Sequence, residues 1–178
     1  LWLKENAPEV YAAAWQFMDL TDFLTWKASG DLSRSICTVT CKWTYLGHEG
    51  GWDASYFEKV GLCDLGEDGF ARIGSRVVAA GTALGTGLTA EAAAQMGLPE
   101  GTPVGAGLID AHAGGLGTVG TGGDPTGDLA YVFGTSSCTL TTTETPSFVR
   151  GVWGPYHSAM IPGMWLNEGR QSAAGAAV

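Results

Sequence analysis

The sequence predicts an α/β fold, and three observations lead there. The 178 residues are 45% hydrophobic and only 15% charged, enough apolar material for a sizeable core and too little charge for a disordered chain. Several segments carry apolar residues at helical spacing between recognisable start and stop residues. Between and after them come runs rich in β-branched and aromatic residues, an alternation typical of mixed α/β architecture.

Taken in order, "PEVYAAAWQFMDLTDFLTWKASG" places Pro8 where a first helical turn tolerates it and Gly30 where a left-handed residue closes a helix, which predicts two short helices. In "DASYFEKVG" Asp53 is the expected N-cap and Gly61 the stop. "TAEAAAQMG" repeats the device with Thr89 and Gly97, and both helices are expected to be peripheral. Strands are predicted in "SRVVAAG", "PVGAGLID", "DLAYVFGTSSCTLTTTE" and "HSAMIPGMW". The turn-rich stretch "GTGGDPTGD", Gly120 to Asp128, is the candidate boundary between lobes.

Charge narrows the partners. Eighteen acidic against nine basic residues give a net charge of −9, a field that repels phosphate backbones and anionic lipid. No apolar run is long enough to span a membrane. Neither nucleic acid nor a membrane is therefore an expected partner. The four cysteines, Cys37, Cys41, Cys63 and Cys138, lack the spacing of a disulfide framework, and no signal peptide is evident, so a reducing cytoplasm is the expected compartment. Cys37 and Cys41 could share a helix face and sketch a metal site with Cys63 and a histidine, but paired C-x2-C knuckles are missing. Buried free thiols are the preferred expectation.

Two stretches carry candidate chemistry. In "GTPVGAGLIDAHAGGLG" an apolar run ends on Asp110 amid glycines. Asp110 reads either as the N-cap of a following helix or as a carboxylate at a strand's carboxyl end, where ligands bind in open α/β sheets and glycines allow close approach. His112 is read as a hydrogen-bonded histidine beside a cap rather than a metal ligand. The "GLGTVG" match to a dinucleotide fingerprint is rejected, because it does not sit in the turn directly after a strand, and a P-loop is absent. In "YVFGTSSCTLTTT" the turn Gly134, Thr135, Ser136 reads as a plain hairpin turn or as a nest of backbone N–H groups for phosphate oxygens.

Together "LWLKENAPEV", "LTDFLTWKASGD", "CKWTY", "GWDASYF", "GLIDAHAGGLG", "FGTSSC" and "GVWGPY…PGMWLNEGRQSAAG" resemble the FGGY carbohydrate kinases, above all the branch that phosphorylates D-ribulose. The resemblance implies part of an actin-like (ribonuclease H-like), two-lobed sugar-kinase ATPase fold, with residues 1–122 from the later part of the N-terminal lobe and 128–178 from the start of the C-terminal lobe. It implies ATP and Mg2+ as cofactors and a small-molecule sugar as substrate, with Asp110 as catalytic base and metal-side carboxylate. Gly134, Thr135 and Ser136 match the family's second phosphate loop, and Lys42 and Glu168 match sugar contacts. Without the resemblance, Lys42 reads as a surface lysine and Glu168 as a solvated charge. Arg170 departs from the family pattern, which continues the glutamate with two glycines.

The expected reaction is transfer of the ATP γ-phosphate to D-ribulose, giving the 5-phosphate, with L-ribulose or ribitol as alternative acceptors and a non-catalytic sugar-binding module as the runner-up. The chain opens without an initiator methionine and is expected to be the middle third of a longer protein, with the first phosphate loop upstream and the adenine site downstream. On its own it is therefore expected to show no ribulose-dependent ATP consumption, and apolar surface uncovered by truncation is expected to favour self-association, so a homo-oligomer is among the expected states.

Overall fold

The computed structural model describes residues 1–122 and 124–177. Gly123 of the proposed boundary stretch and Val178 at the end of the second proposed domain lie outside the described residues.

The first part of the chain is helical. Helix α1 (Trp2–Asn6) and helix α2 (Pro8–Ala13), with proline in its first turn, precede α3 (Leu20–Ser29). Asp19 caps α3 by accepting the Thr21 N–H, and Gly30 closes it at φ 76°, a conformation glycine adopts without a Cβ penalty. Strand β1 (Arg34–Ser35) leads into α4 (Ile36–Lys42), where the Ser35 hydroxyl accepts the Cys37 N–H. Helix α5 (Ala54–Lys59) is capped by Asp53 and α6 (Ala90–Met96) by Thr89, while Gly61 and Gly97 follow them at positive φ. Strand β2 (Val77–Val78) pairs in parallel with β1. Helix α7 (Asp110–Val119) then crosses to a four-stranded antiparallel sheet of β3 (Leu129–Phe133), β4 (Ser137–Thr143), β5 (Trp153–His157) and β6 (Trp165–Gln171). The strand order is β3-β4-β6-β5.

Three strand expectations need correction. In "SRVVAAG" only Val77 and Val78 form a strand. "PVGAGLID" forms none: its Val104–Ala106 stretch, with Thr102 just before it, exchanges irregular backbone hydrogen bonds with residues 81–88 and makes a single bridge, Gly105 to Ala83. The opposing segment contains Gly81, Gly85 and Gly87, all at positive φ, and turns of that kind break a regular ladder. In "HSAMIPGMW", residues 158–164 are the turn between β5 and β6 rather than a strand. Ala159 and Met160 are apolar because they are buried in the core. The structure also contains α1 and α4, which helical spacing did not predict.

Among the described residues no helix is long and apolar enough to cross a membrane. The cysteines are free, but only Cys37 is buried; Cys41 and Cys138 are partly exposed and Cys63 is exposed, which corrects the expectation of uniformly buried thiols. Among the described residues no group of three or more metal-ligating side chains assembles around them.

Of the three glycines that mimic a dinucleotide fingerprint, Gly115 serves packing against the sheet, while Gly117 faces open space. Gly115 and Gly117 lie inside α7 and Gly120 ends it. A Cβ on Gly115 would come within 2.5 Å of Leu140 and 2.7 Å of Met160, and one on Gly114 within 3.2 Å of Val132. Helix α7 can therefore lie against β3 and β4 at close range, over a core of Val119, Ala130, Leu140, Ala159, Met160 and Leu166. That close seat brings the first turn of α7 beside the sheet.

Candidate active site

Four separate stretches of chain meet in one cleft of about 520 Å³. Lys42 comes from the last turn of α4, Asp110 from the first turn of α7, Gly134 to Ser136 from the β3–β4 turn, and Glu168 from β6. Trp153 and Arg170 complete the wall, and a smaller hollow of about 230 Å³ adjoins it, where Cys41, His112 and Tyr156 join Lys42, Trp153 and Glu168. A separate, mostly apolar hollow, walled by aromatic and aliphatic residues between Trp15 and Trp26 with Gln16 as its one polar side chain, contains no titratable group.

Asp110 is neither at a strand end nor the N-cap. Ile109 holds the cap position without a side-chain hydrogen bond, and Asp110 is the first helical residue, its Oδ1 accepting the Ala111 N–H at 2.8 Å. A carboxylate in a first turn sits favourably in the helix dipole. Asp110 is exposed to the cleft, so one of its oxygens is engaged by the backbone while the group remains accessible to a ligand.

Glu168 is only 12% exposed in its side chain and is held by a chain of hydrogen bonds. His112, buried on the inner face of α7, places Nε2 3.3 Å from Glu168 Oε2 and Nδ1 3.1 Å from Cys37 Sγ. Burial pushes the Cys37 thiol up to about 12, and an ionised Glu168 can only accept. That assigns the ring N–H to Nε2, where it donates to Glu168. The Cys138 thiol donates to the other carboxylate oxygen at 3.4 Å. The His112 hydrogen bond holds the Glu168 carboxyl below its ordinary range, against burial, which pushes it up; the Cys138 thiol and nearby Lys42 act in the same direction as His112.

Glu168 links the stability of the fold to pH. Because its folded value is lowered, the interactions of ionised Glu168 stabilise the fold above the ordinary carboxylate range, about 4.3, and this contribution is lost as pH falls through the lowered value. His112→Ala removes the principal donor and leaves burial to act, so any ligand affinity that needs the carboxylate is expected to fail at a higher pH than in wild type. Binding titrations from neutral pH downward check this; coincident acid limbs in the two proteins would dissociate His112 from Glu168.

The β3–β4 turn is fastened from behind. Gly134 N–H donates to Ser136 O at 2.8 Å, while the turn's own carbonyls accept from the segment after β6: Gly175 N–H to Gly134 O at 2.9 Å and Ala174 N–H to Thr135 O at 3.0 Å. A Cβ on Gly175 would lie 2.6 Å from Gly134 O, so this approach requires glycine. With the carbonyls so engaged, the N–H groups of Thr135 and Ser136 have no acceptor among the described residues, which suits an anion.

The cleft brings together Asp110 and the turn, which residue chemistry singled out, with Lys42 and Glu168, which only the resemblance to the family singled out. Sequence reasoning missed the coupling of His112 to Glu168. The only available signal was that His112, two residues beyond Asp110, falls on a different face of the helix.

Residues 1–117 match the FGGY family of carbohydrate kinases, N-terminal domain, and residues 129–178 match the C-terminal domain of the same family. An "FGGY carbohydrate kinase domain-containing protein" of Danio rerio is 55% identical over 186 residues, covering 98% of this chain and 34% of that protein. A D-ribulokinase of Saccharomyces cerevisiae is 36% identical over 203 residues, covering 98% of this chain and 28% of its own length. The crystal structure of xylulose kinase from Rhodospirillum rubrum superposes with a TM-score of 0.77 at 22% identity, over 99% of this chain and 33% of that one. The chain thus spans about a third of the length of the curated relatives it matches.

Proposed function

The chain belongs to the FGGY family of carbohydrate kinases, its fold is that of the sugar kinases, and from that premise we propose that it supplies the acceptor half of a site transferring phosphate from ATP to the terminal hydroxyl of D-ribulose. The observation that carries this reading is the convergence of Lys42, Asp110, Gly134 to Ser136 and Glu168 on one cleft. The D-ribulokinase relative supports the choice of sugar. The lobe boundary is proposed between residues 122 and 128, in keeping with matched ranges that end at 117 and resume at 129.

Asp110 acts as general base, taking the proton of the attacking hydroxyl; its exposed carboxylate in a first helical turn suits that role. Glu168, oriented by His112 and Cys138, accepts hydrogen bonds from sugar hydroxyls, and Lys42 donates to others. The backbone N–H groups of Thr135 and Ser136 hold phosphate oxygens. Among the described residues no group of three or more side chains could cage a metal, while Asp110 offers a hard oxygen ligand that would suit Mg2+ held mainly by phosphates and water. MgATP supplies the phosphoryl group and neutralises its charge. Cytoplasmic residence is proposed with this function, as fits a chain whose cysteines are free.

The test is sugar-dependent ADP release by the full-length protein with D-ribulose, L-ribulose and ribitol as competing acceptors. D-ribulose is expected to give the highest kcat/KM, and a preference for another acceptor would reassign the substrate. Lys42→Ala and Glu168→Ala should appear mainly in the sugar's KM, because contacts made equally in ground and transition states leave kcat unchanged. A lost hydrogen bond to a charged group, about 1.5–3 kcal/mol, corresponds to roughly ten- to a hundredfold in KM. A change in ATP affinity alone would contradict the assigned sugar contacts.

A further inference from the structure

The cleft contains a cation that the roles above leave unused. Arg170 and Glu168 are two residues apart on β6 and both line the cleft; residues so spaced share one face of a strand. The register orders them along it: Ser137, just after the Gly134–Ser136 turn, pairs with Gln171, Cys138 with Arg170, and Leu140 with Glu168. Arg170 is therefore roughly 7 Å nearer the phosphate turn than Glu168, by two strand residues. Its guanidinium lies over the indole of Trp153, 5.8 Å from the ring centroid, and among the described residues it makes no ion pair. A stacked guanidinium loses less freedom on binding than a free one and presents a planar fork of donors to oxyanions.

We infer that Arg170 is a further catalytic residue: carried on β6 two residues nearer the phosphate turn than Glu168, its guanidinium reaches from the face of Trp153, which pairs with Glu168 on β5, to donate to the phosphoryl group in flight. The inference rests on the kinase reading. In that transfer the sugar oxygen bonds to the γ-phosphorus as the bond from that phosphorus to the ADP oxygen breaks. The electron pair leaves on ADP, and the hydroxyl proton passes to Asp110. Negative charge spreads over the moving oxygens, and a cation aimed there stabilises the transition state more than either ground state.

The test compares full-length wild type with Arg170→Gln and Arg170→Lys. Arg170→Gln is expected to lower kcat by about 10²-fold while the sugar's KM and ADP binding stay within about threefold, and Arg170→Lys should fall between. A second readout is Mg-ADP with aluminium fluoride and sugar, a mimic of the planar phosphoryl group, titrated by calorimetry: Arg170→Gln should bind it at least tenfold more weakly than wild type. Turnover by Arg170→Gln within a few-fold of wild type, or a loss confined to sugar KM, overturns the inference and leaves the kinase reading standing. Absence of sugar-dependent ADP release by wild type would overturn the kinase reading, and the inference with it.

Discussion

Replacing Asp110 with asparagine in the full-length protein is expected to lower turnover by about 10²-fold or more while sugar binding changes little. Asparagine keeps the size of the side chain and an oxygen able to accept the Ala111 N–H, so the first turn of α7 has no reason to unwind. What it loses is the capacity to take a proton from the attacking hydroxyl. The variant thus separates two roles that one residue could hold, a helix-terminal acceptor and a general base. Steady-state kinetics with a coupled ADP assay, alongside calorimetric sugar titration, make the distinction. Turnover within a few-fold of wild type would return Asp110 to the purely structural role.

The second large effect lies away from the cleft. Asp22, on α3, is 2% exposed, accepts the Ser35 N–H at 2.8 Å and the Thr38 hydroxyl at 2.6 Å, and so fastens the start of α4, the helix that ends in Lys42. Burial pushes its carboxyl up, while those two donors and the charge of nearby Arg34 draw it back down. Arg34 is itself 1% exposed. Asp22→Ala strands the Ser35 N–H and removes a countercharge from a buried guanidinium, a loss of about 3 kcal/mol. For a protein of this size that corresponds to roughly 6–12 °C in melting temperature. Thr38 can turn its hydroxyl to the Ser35 carbonyl, 2.8 Å away, so it adds little. Asp22→Asn keeps an acceptor for Ser35 and should cost less. A thermal melt of Asp22→Ala within about 2 °C of wild type would show that the network contributes nothing.

What could be read from sequence was local. Caps at Asp53 and Thr89 and the left-handed stops at Gly30 and Gly97 were legible because each is decided within a few residues. The β3–β4 hairpin was legible from its alternating threonines. Strand formation at 103–110 was not, because it depends on whether the partner segment can form a ladder, and a partner with Gly81, Gly85 and Gly87 at positive φ does not. Helix α4, "ICTVTCK", is rich in β-branched residues that favour strands; tertiary packing, with Cys37 and Val39 fully buried, overrides that preference. Glu168 read as a solvated charge for a related reason. Its donor His112 is 56 residues away, and no spacing rule reaches across that distance. The resemblance to the family found Glu168 where residue chemistry alone did not.

The central claim is that one cleft sets a base, sugar contacts and a phosphate turn around a single reacting hydroxyl. A crystal structure of the full-length protein with D-ribulose and a non-hydrolysable ATP analogue tests it most directly. The expected result places an Asp110 carboxylate oxygen about 2.6–3.2 Å from the sugar's terminal hydroxyl, with Glu168 and Lys42 on the other hydroxyls and the terminal phosphate against the N–H groups of Thr135 and Ser136. A sugar bound outside this cleft, or bound within it with its terminal hydroxyl turned away from Asp110, would contradict the account.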